Sequence, residues 1–110
     1  MPIAQGFITR VGSVGLKGSK FMATFFIEDV PFTLGGVFVP SVPNFACCNA
    51  TLRYGSLSQL SSTRLIEGSI GAKGLALRLV NGPIIKGALE QPFYHRVRLE
   101  VIGCGIWFQS

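Results

Sequence analysis

The chain has 110 residues, a formal net charge of +5 from ten Lys/Arg against five Asp/Glu, 48% hydrophobic residues and only 14% charged ones. That length fits one domain, residues 1–110, with enough chain for a core that needs no covalent staples. The charge balance excludes an acidic chain and favours a polyanionic partner, nucleic acid before an anionic membrane. The small charged fraction leaves apolar surface uncovered, so self-association into a homo-oligomer is expected.

The elements read in chain order as short strands. Fourteen Gly and six Pro interrupt the chain every few residues and leave no room for a long helix. Phe7 to Val11 reads as a first strand and Gly15 to Ser19 as a turn. Phe21 to Glu28 reads as a second strand, apolar on both faces, which implies burial on both sides or a subunit contact. Pro31 to Pro43 contains Gly35-Gly36 and three prolines, and its Val37-Phe38-Val39 reads as an extended arm or edge strand. Phe45 to Tyr54 is the next strand, and Ser58 to Ser62 has room for one helical turn.

Arg64 to Ile70 and Leu75 to Val80 form a hairpin across Gly71-Ala72-Lys73-Gly74, and Asn81-Gly82-Pro83 is a turn. In the closing segment Val97, Leu99 and Val101 alternate with Tyr94, Arg96, Arg98 and Glu100. A period of two sets an apolar row inward and a basic, aromatic row outward. The sum is an all-β chain of five or six strands with at most one short helix, a small barrel or sandwich. No internal repeat is visible.

Chemistry-bearing clusters are sparse. Cys47, Cys48 and Cys104 are odd in number and include an adjacent pair, which opposes a disulfide framework. No Cys-x-x-Cys occurs, so no metal site is expected, and free buried thiols fit a reducing, cytoplasmic setting. Asn49-Ala50-Thr51 matches a glycosylation sequon but follows no signal segment, so it reads as accidental. No apolar run reaches ~18 residues, so no membrane span is expected.

The lone His95 lies between Tyr94 and Arg96, and its spacing from Cys47 and Cys48 makes no recognisable nucleophile–base couple. Glu28-Asp29 reads as the end of a strand at a turn. The Gly, Lys and Ser of residues 12–19 stand in the wrong order for a phosphate-binding loop. The chain therefore reads as a non-enzyme without a cofactor.

Rings beside cations carry more. Lys20-Phe21, Arg53-Tyr54 and Phe93-Tyr94-His95-Arg96 each set a flat ring next to positive charge. Single strands are bound in this way, with bases stacked on rings and phosphates matched by Lys and Arg. Tyr54 and Tyr94 are the preferred rings, because a phenol tolerates exposure, whereas most Phe of a small β-domain are core. The chain's cations, Arg10, Lys17, Lys20, Arg53, Arg64, Lys73, Arg78, Lys86, Arg96 and Arg98, are scattered along the sequence.

The order of segments resembles the bacterial single-stranded DNA-binding protein family and its primosomal relatives. Gly6-Phe7-Ile8-Thr9-Arg10-Val11-Gly12 looks like that family's opening strand, and Gly18 to Phe25 like its second strand after a Gly-Lys turn. Leu52-Arg53-Tyr54-Gly55-Ser56-Leu57-Ser58 is similar to its third strand, where an aromatic and a Gly precede a short helix. Leu65-Ile66-Glu67-Gly68-Ser69-Ile70 looks like its fourth, and Tyr94 to Ile102 stands where its closing strand stands. The family's base-stacking tryptophans have no counterpart in these segments, Trp107 lies elsewhere, and Ile106 to Ser110 is not an acidic tail.

The resemblance implies an oligonucleotide-binding fold, Tyr54 as a base-stacking ring and Lys73 in a hairpin loop that grips the strand. The expected function is non-enzymatic binding of single-stranded DNA or RNA with little sequence preference. Its candidate residues are Arg10, Lys17, Lys20, Arg53, Tyr54, Lys73, Arg78, Tyr94, Arg96 and Arg98. The rival expectation is a structural or assembly protein, a phage or secretion component, that joins copies through apolar β surfaces.

Overall fold

A computed structural model describes residues 7–39, 42–71, 74–91 and 98–109. They form eight strands and a single 3-10 turn: β1 (Ile8–Lys17), β2 (Lys20–Ile27), β3 (Val30–Val39), β4 (Phe45–Tyr54), the turn Leu57–Gln59, β5 (Thr63–Ile70), β6 (Gly74–Leu79), β7 (Ile84–Ala88) and β8 (Leu99–Gln109). The strands close into a barrel in the order β1-β2-β3-β8-β5-β6-β7-β4. Every adjacent pair is antiparallel.

That order contains one connectivity twice. Strands β4-β1-β2-β3 follow the Greek-key pattern, a three-strand meander whose fourth strand returns beside the first, and β8-β5-β6-β7 follow it again. The seams β3–β8 and β4–β7 join the two halves. The repeat is one of connectivity, and no sequence repeat accompanies it.

Alternation decides which side chains fill the barrel. On β2, Phe21, Ala23, Phe25 and Ile27 point inward and are buried, while Lys20, Met22 and Phe26 are exposed. On β4, Leu52 and Tyr54 are buried and Arg53 between them is exposed. Phe21 and Phe38 stack inside with centroids 4.3 Å apart and planes 7° from parallel. Rings this large need compensating small residues where strands cross. Gly36 and Gly105 are directly opposed on β3 and β8, and a Cβ on Gly36 meets the Cys104 carbonyl oxygen.

The turns follow local chemistry. Glu28 and Asp29, with φ of 51° and 66°, are the two central residues of the β2–β3 hairpin. Positive φ at both positions is the type I′ geometry that matches strand twist. At the same end, the Gln59 side chain accepts from the Gly55 and Ser56 amides and donates to the Asn81 carbonyl, while Asn81 Nδ2 returns a bond to the Gln59 carbonyl. This clasp ties the 3-10 turn to the β6–β7 turn, where Gly82 has φ 125°.

The all-β barrel agrees with the sequence expectation, but eight strands replace five or six. Val37-Phe38-Val39 is no arm or edge. It ends a ten-residue strand flanked by β2 and β8, with Phe38 inside. Pro31 is tolerated because it stands second in that strand, before the ladder is fully established. A strand at Ile84–Ala88 was not expected, because two adjacent isoleucines followed by Lys-Gly-Ala mask the alternation. The first strand runs on to Lys17, so the turn shrinks to Gly18-Ser19. Of the closing segment expected from Tyr94 to Ile102, Leu99 to Ile102 belong to β8, and residues 94–97 lie outside the described residues.

Candidate functional site

The outer surface of the barrel separates into two opposed walls. One is built by β1, β4, β7 and β6. The register places Thr9, Arg53, Ile84 and Arg78 in one row across these four strands. Val11, Thr51, Lys86 and Ala76 form the next row. With strands ~4.8 Å apart, Arg53 and Arg78 stand ~10 Å from each other on either side of Ile84. Lys86 follows two residues along β7, ~7 Å from Ile84 on the same face.

Two features make this wall more than a solvated surface. Phe7 precedes β1 and is 56% exposed, and the Arg53 guanidinium lies 4.1 Å from its ring centroid. A cation over an aromatic face is attracted by the ring quadrupole. Thr9, Thr51, Arg53, Ile84 and Lys86 also line a shallow depression. Arg78 is paired with Glu67 of β5, both side chains being about half exposed or more. An exposed pair of this kind contributes at most ~1 kcal/mol, so Arg78 can exchange Glu67 for another anion at little cost.

The other wall is built by β2, β3, β8 and β5. Its outward rows are Met22, Gly35, Ile106 and Thr63, then Lys20, Val37, Cys104 and Leu65, then Val39, Ile102 and Glu67. Met22, Val37, Val39, Leu65, Ile102, Ile106 and Phe108 are all exposed, Leu65 and Ile102 at 63% each.

The candidate residues from the sequence fall in four places. Arg53 and Arg78 share the cationic wall. Arg10 pairs across from buried Leu52, on the inward row at the barrel's mouth, and is half-buried with Nη1 donating to the Thr9 carbonyl. Lys17, Lys20 and Arg98 belong to the opposite end of the barrel, where β1 ends and β8 begins. Lys17 and Lys20 face each other across the Gly18-Ser19 turn, which Asn44 fastens by accepting from the Gly18 amide at 2.9 Å. Lys73, Tyr94 and Arg96 lie outside the described residues.

Tyr54 is the correction. It is 2% exposed, opposite Ile8 in the core, so its ring is closed to a base. The alternation that exposes Arg53 forces its neighbour inward. Two residues of the wall were missed. Lys86 lies on the unexpected strand β7, and Phe7 was read only as the start of a strand. The first signal requires knowing that β4 and β7 are neighbours, and the second that β1 and β4 are.

The thiols carry no site, and of the three only Cys47 is buried as expected, Cys48 and Cys104 being exposed. Burial pushes the Cys47 thiol above its ordinary value, and a hydrogen bond with the Glu90 carboxylate raises Cys48. Both shifts favour the unreactive neutral thiol. Among the described residues no group of His, Cys, Asp and Glu is placed to hold a metal. No helix among them is long and apolar enough to cross a membrane. No protein-family model, curated protein or solved structure matches the chain.

Proposed function

We propose that the protein is a non-enzymatic module that binds single-stranded nucleic acid across the β1–β4–β7–β6 wall. The observation that carries this reading is the gathering of Arg53, Lys86 and Arg78 around Ile84, with the exposed Phe7 ring held against Arg53. The three cations match phosphates, and the gain comes from releasing counterions. One face of Phe7 is occupied by the guanidinium and the ring remains open to a base, which stacks on it regardless of identity. Thr9 and Thr51 present hydroxyls to the sugar–phosphate chain beside them. The reading keeps the expected ligand class and replaces Tyr54 by Phe7 as the stacking ring.

The test is an anisotropy titration of labelled oligo-dT at two salt concentrations. Affinity should fall steeply with salt and be lost when Arg53, Lys86 and Arg78 are all replaced by Gln. Binding that survives the triple replacement moves the site elsewhere. The expected rival, an assembly protein, is favoured by a separate observation, the apolar wall on the other side of the barrel. High salt separates the two readings, because apolar association persists where phosphate contacts fade.

A further inference from the structure

The apolar wall is too large to be incidental. Met22, Val37, Val39, Leu65, Ile102, Ile106 and Phe108, with Val80 bonded to the Leu65 carbonyl at the wall's β6 border, are each between two-fifths and seven-tenths exposed. Together they present on the order of 700 Å² of apolar side chain, above the ~300–600 Å² of the largest patch on a typical monomer. It is close to the ~800 Å² that each partner contributes to a standard interface.

The patch is centred on β8. Ile102 and Ile106 flank Cys104 along the strand, while Val37 and Leu65 flank it across the sheet. A surface that reads alike on both sides of a central point can meet its own copy. Its borders also match: Lys20 stands on the β2 flank, and Glu67 begins the β5 flank. Among the described residues every strand of the closed barrel has a neighbour on both sides, so contact is wall to wall and not by edge pairing.

We infer that the β2–β3–β8–β5 wall is the interface of a homodimer, formed by two copies packed face to face about a two-fold axis that runs along β8. This sets Lys20 of each copy towards the Glu67 flank of the other and covers Cys104 of both. It leaves the two cationic walls on the outside, facing away from each other, since β4 and β8 are diametrically opposed in the ring of strands. The inference does not depend on the ligand of the cationic wall.

The chain carries its own probes. Cys104 is exposed at the centre of the apolar wall, Cys48 is exposed on the opposite strand β4, and Cys47 is buried. Maleimide labelling of the intact chain is followed by mass spectrometry over a range of protein concentrations, alongside sedimentation velocity. The expected result is a dimer whose Cys104 labelling rate falls in proportion to the dimer fraction while the Cys48 rate stays constant. Ile102→Glu should sediment as a monomer at all these concentrations, with Cys104 labelled at the monomer rate and the melting temperature of the wild type at concentrations where it is monomeric.

A second variant guards against misfolding: Lys20→Glu should weaken the dimer, and adding Glu67→Lys should restore it. A wild-type chain that stays monomeric throughout overturns the inference. So does a dimer in which Cys104 labels as fast as in the monomer. Protection of Cys104 only on adding phosphatidylglycerol vesicles also overturns it, assigning the wall to a lipid surface.

Discussion

At the scale of single residues, the neighbours Arg53 and Tyr54 separate binding from stability. Tyr54→Ala removes a ring from the core and should cost about 3–5 kcal/mol of stability, the range for truncating a large buried aromatic. Oligo-dT affinity of the fraction still folded should not change. Phe7→Ala should do the reverse: melting barely moves, and binding weakens by ~1–3 kcal/mol, one to two decades, at every salt concentration. Lys86→Gln should lower the slope of log affinity against log salt by about 0.7, because one fewer counterion is released. A ring releases none, so the two variants differ in salt dependence as well as in size of effect.

Cys47 gives a pH signature. Its thiol is held above the ordinary value of 9.0, chiefly by burial, so the fold prefers the neutral form. The contribution is complete below the unfolded value and is lost as pH rises through the folded one. Denaturant midpoints should therefore drop as pH rises above 9.0 in the wild type and drop less in Cys47→Ala. At this scale Arg53 and Arg78 were legible from composition and position. The inward turn of Tyr54 follows from alternation along β4, but a resemblance of short motifs outweighed it.

At the scale of elements, strands bounded by strong punctuation were legible. Phe45–Tyr54 and the Thr63–Ile70/Gly74–Leu79 hairpin emerged close to their true limits, because Gly and Asn-Gly-Pro mark their ends. β3 and β7 did not. In β3, Gly35-Gly36 looks like a breaker, yet Gly36 is small because the β8 backbone passes against it. Gly36→Ala should therefore destabilise by roughly 1–3 kcal/mol through overpacking, read as a lower thermal midpoint. The opposite is expected at the β2–β3 turn. Asp29 adopts φ 66°, a region that glycine occupies without penalty, so Asp29→Gly should raise the midpoint, by up to ~1 kcal/mol. A fall in midpoint for Asp29→Gly would mean that the carboxylate makes contacts worth more than the relief of strain.

At the scale of the whole molecule, the fold class was legible and its closure was not. Alternation shows which residues share a face of one strand, but the β3–β8 and β4–β7 seams join segments far apart in the chain. No local pattern encodes those neighbours. For that reason the cations read as scattered, although the barrel gathers Arg53, Lys86 and Arg78 on one wall and Val37, Val39, Leu65, Ile102 and Ile106 on the opposite one. The proposed binding of a single strand rests on this segregation of charge.

It is tested most directly by titrating labelled oligo-dT with wild-type protein and with the Arg53→Gln/Lys86→Gln/Arg78→Gln variant, each at low and high salt. Wild-type affinity should be measurable at low salt and fall steeply as salt rises. The variant, with melting temperature unchanged, should lose the affinity and most of its salt dependence. A wild-type chain with no affinity for the single strand at low salt would contradict it, and so would a triple variant that binds as the wild type does.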